Sequence, residues 1–163
     1  MRVPTLHTSR LSLRAYAEAD RSSFIATYTD PEVMRAVDGA LDEATAGALF
    51  DGILSGKRVR VFAGWCATHG GETVGHGALL REGDDLAIGY ILPRRHWGRG
   101  YATEIAVALV SYARDTLGRA RVIATTDVDH IASRRVLEKA GLAWVRDVLD
   151  EEAPYSLYET SAS

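Results

Sequence analysis

The sequence predicts one mixed α/β domain, a sheet with helices packed against it. Three observations carry that expectation. Segments that alternate apolar and polar residues, or that are short and apolar throughout, interleave with segments whose apolar residues recur at helical spacing. Two strand–helix–strand crossovers follow Leu86 and argue for parallel pairing in the second half. The 163 residues are 47% apolar and 25% charged, the size and balance of a single globular domain over residues 1–163 with a core of its own.

The elements follow in order. Arg10 to Tyr16 sets Leu11, Leu13 and Ala15 against Ser12, Arg14 and Tyr16, as a half-buried strand does. Asp20 to Tyr28 reads as a short helix. Another starts at Asp30-Pro31-Glu32, with Asp30 as N-cap and proline at the first helical position. Asp42 to Leu54 is a third, ended near Gly56. Val59 to Thr68 and Glu72 to Leu80 flank Gly70-Gly71 and read as a hairpin. Gly83-Asp84-Asp85 turns the chain into Leu86 to Leu92, which stops at Pro93. Gly98 to Leu117 is the strongest helix, with Ala102, Ile105, Ala106, Leu109, Val110, Ala113 and Leu117 on one face and Gly118 as its stop. Ala120 to Thr125 is a buried strand. Ile131 to Ala140 is a helix entered through Asp129 or Asp127 and stopped by Gly141. Leu142 to Leu149 and Tyr155 to Tyr158 are strands around an acidic loop, and Glu159 to Ser163 reads as a frayed tail.

Composition narrows the function classes. A net charge of −3 provides no bulk attraction to nucleic acid or to an anionic membrane. The single cysteine, Cys66, lies between Trp65 and Ala67 in an apolar strand and reads as core; alone, it excludes an intrachain disulfide or a zinc site built on several thiolates. His7, His69, His76, His96 and His130 show no metal-ligand spacing, so no metal is expected. Met1 to Arg10 lacks the apolar stretch of a signal peptide, and the longest purely apolar run, Ile105 to Val110, is too short to span a bilayer. The expectation is a soluble cytoplasmic protein with no nucleic-acid or membrane partner.

Chemistry concentrates in Leu92 to Ala102, Leu-Pro-Arg-Arg-His-Trp-Gly-Arg-Gly-Tyr-Ala. A buried strand runs into a basic loop that opens a long amphipathic helix. The first amides of a helix lack intrahelical acceptors and carry the positive end of its dipole. Gly98 and Gly100 remove side chains that would keep an anion off the backbone, and Arg94, Arg95 and Arg99 add charge. The combination suits a pyrophosphate. The same residues also suit a tight turn with a solvated basic surface. A dinucleotide fingerprint would need glycine where Thr103 stands, and a Walker loop fails because Gly56-Lys57 is followed by Arg58.

Arg95-His96-Trp97-Gly98-Arg99-Gly100-Tyr101-Ala102 resembles the pyrophosphate loop of the GNAT acyl-CoA-dependent N-acyltransferases. Thr8 to Arg14, Asp30 to Arg35, Ile88-Gly89-Tyr90, Trp97 to Glu104 and Ile131 to Gly141 resemble the RimJ/RimL-type branch, in order and across nearly the whole chain. The resemblance implies a mixed, mostly antiparallel sheet with a splayed central pair of parallel strands, Leu86 to Leu92 and Ala120 to Thr126, flanked by helices. Acetyl-CoA as cosubstrate would lie in that splay. Its pantetheine arm would pair with Tyr90, Ile91 and Leu92, and its pyrophosphate would sit on Arg95, His96, Trp97, Gly98, Arg99 and Gly100 and on the helix start at Tyr101 and Ala102. Tyr101 either approaches the phosphates or packs, and Trp97 shields the loop. Backbone N–H near Tyr90 to Ile91 would hold the oxyanion. Ser133 matches a family serine that protonates the leaving thiolate.

Two departures bear on catalysis. The branch often has Glu, a candidate general base, where this chain has Ala87. Asp85, two residues earlier on the same strand face and roughly 7 Å away, is a candidate base acting through water, although Gly83 and Asp84 beside it also suit a solvated turn. His130 stands where the branch usually has Asn. Three roles stay open for it: a helix-entry residue bonding its own turn, a contact to the cofactor, or a base. Asp127 either caps the next helix or faces the substrate, the cap being favoured. Asp147, Asp150, Glu151 and Glu152 read as a solvated loop or an attractor for a cationic amine. Phe24, Tyr28, Phe50 and Trp65 line an acceptor pocket or fill the core. The function expected is acetyl transfer from acetyl-CoA to a primary amine, on a protein N-terminus or a small molecule. The alternative is a catalytically weak acyl-CoA-binding sensor or interaction module. Family members often pair as homodimers, which carries over by analogy alone.

Overall fold

The computed structural model describes residues 3–37, 39–58 and 60–161. The elements are β1 (Leu6–His7), β2 (Ser12–Arg14), α1 (Arg21–Tyr28), α2 (Pro31–Met34), α3 (Glu43–Leu54), β3 (Val61–His69), β4 (Glu72–Glu82), β5 (Asp85–Ile91), α4 (Tyr101–Ser111), β6 (Val122–Asp127), α5 (Ile131–Lys139), β7 (Leu142–Val148) and β8 (Tyr155–Thr160). Single 3-10 turns precede α1 at Glu18–Asp20 and follow β5 at Arg94–His96. The helices begin where capping chemistry places them: Asp30 Oδ1 accepts from the Glu32 amide at 3.0 Å, and Asp42 Oδ1 accepts from the Thr45 amide at 2.7 Å.

Eight strands form one sheet in the order β1-β2-β3-β4-β5-β6-β8-β7. Every neighbouring pair is antiparallel except β5 with β6. The mixed, mostly antiparallel sheet with one central parallel pair is therefore present. The second crossover differs from expectation. α5 carries the chain from β6 to β7, but β8 comes back between them and pairs antiparallel with both. The expected tail is also partly ordered structure: Glu159 and Thr160 belong to β8, and the Thr160 hydroxyl accepts from the Val122 amide at 3.0 Å. Val59, expected to open β3, and Ala162 and Ser163 lie outside the described residues.

The predicted long helix starts three residues later than expected, at Tyr101, and its last turn, Tyr112–Thr116, widens to π geometry. Its apolar face covers the sheet. Ile105, Ala106 and Leu109 are fully buried there with Trp65, Leu79 and Leu86, and each fully buried aliphatic side chain contributes roughly 1.5–3 kcal/mol. Gly77 makes this close approach possible, because a Cβ there would stand 2.9 Å from Ile105. α5 packs beside α4 on this face, and α1 and α3 pack together at the other. Trp65 is core, edge-on to Tyr112. Phe24 and Phe50 are also fully buried, in a separate nest described below.

Candidate active site

The register opens a cleft in mid-sheet. Leu86 lies opposite Val122 and Ala87 opposite Ile123, and no further rung joins β5 to β6. Beyond that point β5 stays with β4, with His76 opposite Ile91, while β6 follows β8, with Asp127 opposite Tyr155. The edge of β5 facing β6 from Ile88 to Ile91 thus has no strand partner among the described residues. Backbone groups in that position need hydrogen bonds, and an extended amide-containing chain can supply them. The Leu92 carbonyl, one of the expected contacts, already accepts from Trp97 Nε1 at 2.9 Å. That bond folds the half-exposed indole back over the strand end.

The loop after β5 divides its amides between two uses. His96 donates to the Pro93 carbonyl at 3.0 Å and Trp97 to the Arg94 carbonyl at 3.1 Å, so these two are spent inside the turn. The amides of Gly98, Arg99, Gly100, Tyr101, Ala102 and Thr103 find no protein acceptor among the described residues; the first helical bond runs from Glu104 to the Gly100 carbonyl at 3.2 Å. Free amides at a helix start form a cradle for an anion. Gly98 and Gly100 have φ of +74° and +81°, the left-handed region that side chains disfavour. A Cβ at residue 98 would point into open space, whereas one at residue 100 would meet Arg10 Nη2 at 3.0 Å. The two glycines therefore differ: Gly98 faces open space, and Gly100 makes room for an arginine.

The loop's basic residues also separate. Arg95 lies 3.5 Å from the Glu72 carboxylate and remains largely exposed. Arg94 turns away to Asp30, donating from Nε to Oδ2 at 2.9 Å, and lines a cavity of about 450 Å³ with Ser23, Ala26 and Thr27 of α1. His96 is buried against Tyr101, and its Nε2 is 3.3 Å from Glu72 without hydrogen-bond alignment. Burial first, and then the Arg95 charge, lower its pKa.

Tyr90 reaches across the cleft to α5. Its hydroxyl lies 2.9 Å from Ser133 Oγ, and burial raises its pKa while that hydrogen bond works the other way. His130 joins the same corner as the cap of α5: its Nδ1 accepts from the Ser133 amide at 3.1 Å. Of the three roles open for His130, the structure displays the first. The favoured cap at Asp127 is thereby corrected, since His130 takes that place and Asp127 supplies only its backbone carbonyl, to the His130 amide at 3.0 Å. Asp85 is not part of this corner. It is paired with Arg121 at 2.6 Å, at the opposite end of β5 from the open edge and five residues from Tyr90, about 16 Å along a strand.

A family model described as an acetyltransferase (GNAT) domain matches residues 10–143. The chain belongs to the GNAT acetyltransferase family. FsC-acetyl coenzyme A-N(2)-transacetylase of Aspergillus fumigatus is 32% identical over 155 residues, covering 87% of this chain and 66% of that protein. Among solved structures, an acetyltransferase from Agrobacterium tumefaciens is 26% identical, with a TM-score of 0.83 over 99% of this chain and 96% of that one. RimL, a ribosomal L7/L12 alpha-N-protein acetyltransferase in complex with coenzyme A, shares the fold at a TM-score of 0.82 and 16% identity, over 96% of this chain and 97% of that one.

Within this GNAT fold, Ala87 is buried against Ile123 and Leu157, so that position offers no acid–base group. Two features escaped the reading of the sequence. Arg10 and Glu104 meet across the loop, with Glu104 Oε1 also accepting from Thr8 Oγ1 at 2.6 Å. Burial works to raise the Glu104 pKa, but the Thr8 and Arg10 hydrogen bonds outweigh it and hold it below its usual value. Both partners lie in matched segments, yet nothing in either segment says they pair across 94 residues. The second feature is that Tyr16 and His76 join Phe24, Tyr28 and Phe50, three of the residues named as pocket or core, in one aromatic nest. The Tyr16 hydroxyl lies 2.8 Å from His76 Nδ1, and His76 Nε2 has no partner among the described residues. Burial pushes His76 down to about 4 and Tyr28 up to about 12. Alternation of one lone histidine with glycines gave no signal of this.

Proposed function

We propose that this chain is a cytoplasmic N-acetyltransferase of the RimJ/RimL type that moves acetyl from acetyl-CoA to a primary amine by direct attack in a ternary complex. The supporting observation is continuity. The unpaired edge of β5 runs directly into a loop with free amides at a helix start, so one stretch offers an extended amide partner and then a seat for two phosphates. Two relatives favour the same reading: one is named as an acetyl coenzyme A-N(2)-transacetylase, and RimL holds coenzyme A. The acceptor class is a protein N-terminus or a small-molecule amine, and homodimer formation belongs to the proposal.

The chemistry then divides among this chain's residues. The amine nitrogen forms a bond to the thioester carbon and the carbon–sulfur bond breaks. Backbone N–H at Tyr90 to Ile91 holds the oxyanion in between. Ser133 Oγ gives its proton to the leaving thiolate, and the Tyr90 hydroxyl behind it orients Ser133 and restores that proton from solvent. The methyl of Ala87 cannot accept the amine's proton. That proton leaves to water, helped by a desolvated site that lowers the amine pKa.

The absence of a carboxylate at Ala87 also favours a second reading, a module that binds acyl-CoA and turns over little. Calorimetry with acetyl-CoA, with free CoA as comparison, followed by an amine panel scored by thiol release, separates them. Micromolar binding with turnover supports the enzyme, and binding without any turnover supports the module. Absence of binding to either ligand ends both readings.

A further inference from the structure

The segment before β2 reaches the cofactor loop at one point. Glu104, in the first turn of α4, accepts from Thr8 Oγ1 at 2.6 Å and from the Arg10 amide at 3.1 Å through Oε1, and from Arg10 Nε through Oε2. The same guanidinium donates from Nη2 to the Arg99 carbonyl at 2.7 Å and lies over the Tyr101 ring, 4.6 Å from its centroid. One arginine thus touches the residue before Gly100, the residue after it, and the acid one helical turn on.

The consequence lies in the Arg99–Gly100 peptide. A trans peptide points its carbonyl and its N–H in opposite directions, and no described peptide is cis. Holding the Arg99 carbonyl against Arg10 therefore aims the Gly100 N–H to the other side of the loop. Gly100 has no steric preference of its own for this orientation, since it adopts positive φ and its neighbours freely. The space a side chain would take at residue 100 is filled by Arg10 Nη2 at 3.0 Å. Arg10 commits Nε and Nη2 to Glu104 and the Arg99 carbonyl, so two of its three nitrogens hold the loop and its helix. Glu104 in turn keeps a long, half-exposed side chain in one conformation that it would otherwise leave.

We propose that Arg10, held by Glu104, is a positioning residue for the pyrophosphate cradle: it sets the Arg99–Gly100 peptide so that the loop's free amides converge on the diphosphate of the cosubstrate. The proposal rests on the reading of this loop as the diphosphate site.

The test compares two probes on the full chain. Free CoA carries the diphosphate and is titrated by calorimetry. S-acetylpantetheine keeps the thioester arm without any phosphate, and its weaker binding is followed by amide chemical shifts. The expected result is that Arg10→Ala weakens CoA at least tenfold and leaves S-acetylpantetheine within twofold. Arg10→Lys keeps the charge but loses the two-pronged grip, and should recover less than a third of the lost CoA affinity. Glu104→Gln should weaken CoA by a smaller factor in the same direction. CoA affinity within twofold of wild type in a folded Arg10→Ala overturns the proposal. Equal weakening of both probes also overturns it, since that marks a general loss of structure. If Arg10→Ala does not fold, Arg10→Lys decides: full wild-type CoA affinity overturns the proposal. Failure of the wild type itself to bind CoA is a distinct outcome, and it removes the diphosphate site along with the proposal.

Discussion

The Tyr90 hydroxyl and Ser133 Oγ stand 2.9 Å apart and bridge the two walls of the cleft, from the strand whose edge is open to the helix that follows its departing neighbour. With His130 capping the same helix through the Ser133 amide, the serine is held from both its backbone and its side chain. That fixed position is what a proton donor to a leaving group requires.

Ser133→Ala should lower kcat by about 100-fold, the scale of general acid catalysis, while acetyl-CoA affinity changes less than threefold. Tyr90→Phe should lower kcat by a smaller factor, because it leaves the serine in place but unoriented. Steady-state kinetics with any accepted amine reads both. An unchanged kcat in Ser133→Ala removes the serine from the mechanism.

Gly98→Val and Gly100→Val should each weaken acetyl-CoA at least tenfold, by different routes. Both force a β-branched residue to positive φ, at a cost of about 1–3 kcal/mol. At residue 98 the strain falls on the backbone that carries the free amides, and at residue 100 the side chain also meets Arg10 Nη2. Calorimetry at matched folded fraction measures both. Wild-type affinity in either variant means the loop is not the phosphate seat.

Asp85→Asn should leave the pH profile of kcat/KM where it is. The carboxylate is bound to Arg121, which also holds Glu159 at 2.6 Å, and such exposed ion pairs contribute about 0–1 kcal/mol. The expected effect is a small drop in thermal midpoint. Loss of the lower limb of the pH profile would instead reinstate Asp85 as a base.

His76 should make the folded state sensitive to acid. Its pKa is depressed from 6.5 to about 4, so the unfolded chain takes up this proton at higher pH than the folded chain does. Between those values the unfolded state binds more protons. The stability this site allows at neutral pH is therefore intact above 6.5 and falls as pH drops toward 4, by about 3 kcal/mol in full. His76→Gln removes the titration and keeps a polar partner for Tyr16. Urea midpoints between pH 7 and 4.5 should decline less steeply in this variant than in the wild type. Parallel declines mean that His76 stays neutral in neither state.

Local chemistry was legible in the sequence wherever a short segment decides its own conformation. The Asp30 cap, the apolar stripe of α4 and the paired glycines beside a basic run all follow from neighbours within about one helical turn. The resemblance of ordered segments added the splayed strand pair. What lay beyond reach was pairing over distance. The return of β8 between β6 and β7, the Arg121 partner of Asp85, the Arg94–Asp30 pair and the Arg10–Glu104 contact each join residues whose local sequences are compatible with several partners. Asp85 shows the point: its spacing of two residues from Ala87 makes it a candidate base, but only the placement of Arg121 on β6's approach makes it half of an ion pair. Periodicity and capping act through bonds within one turn, so the sequence alone determines them. A charged side chain's partner depends on which backbone the fold brings alongside, and the tertiary structure alone decides that.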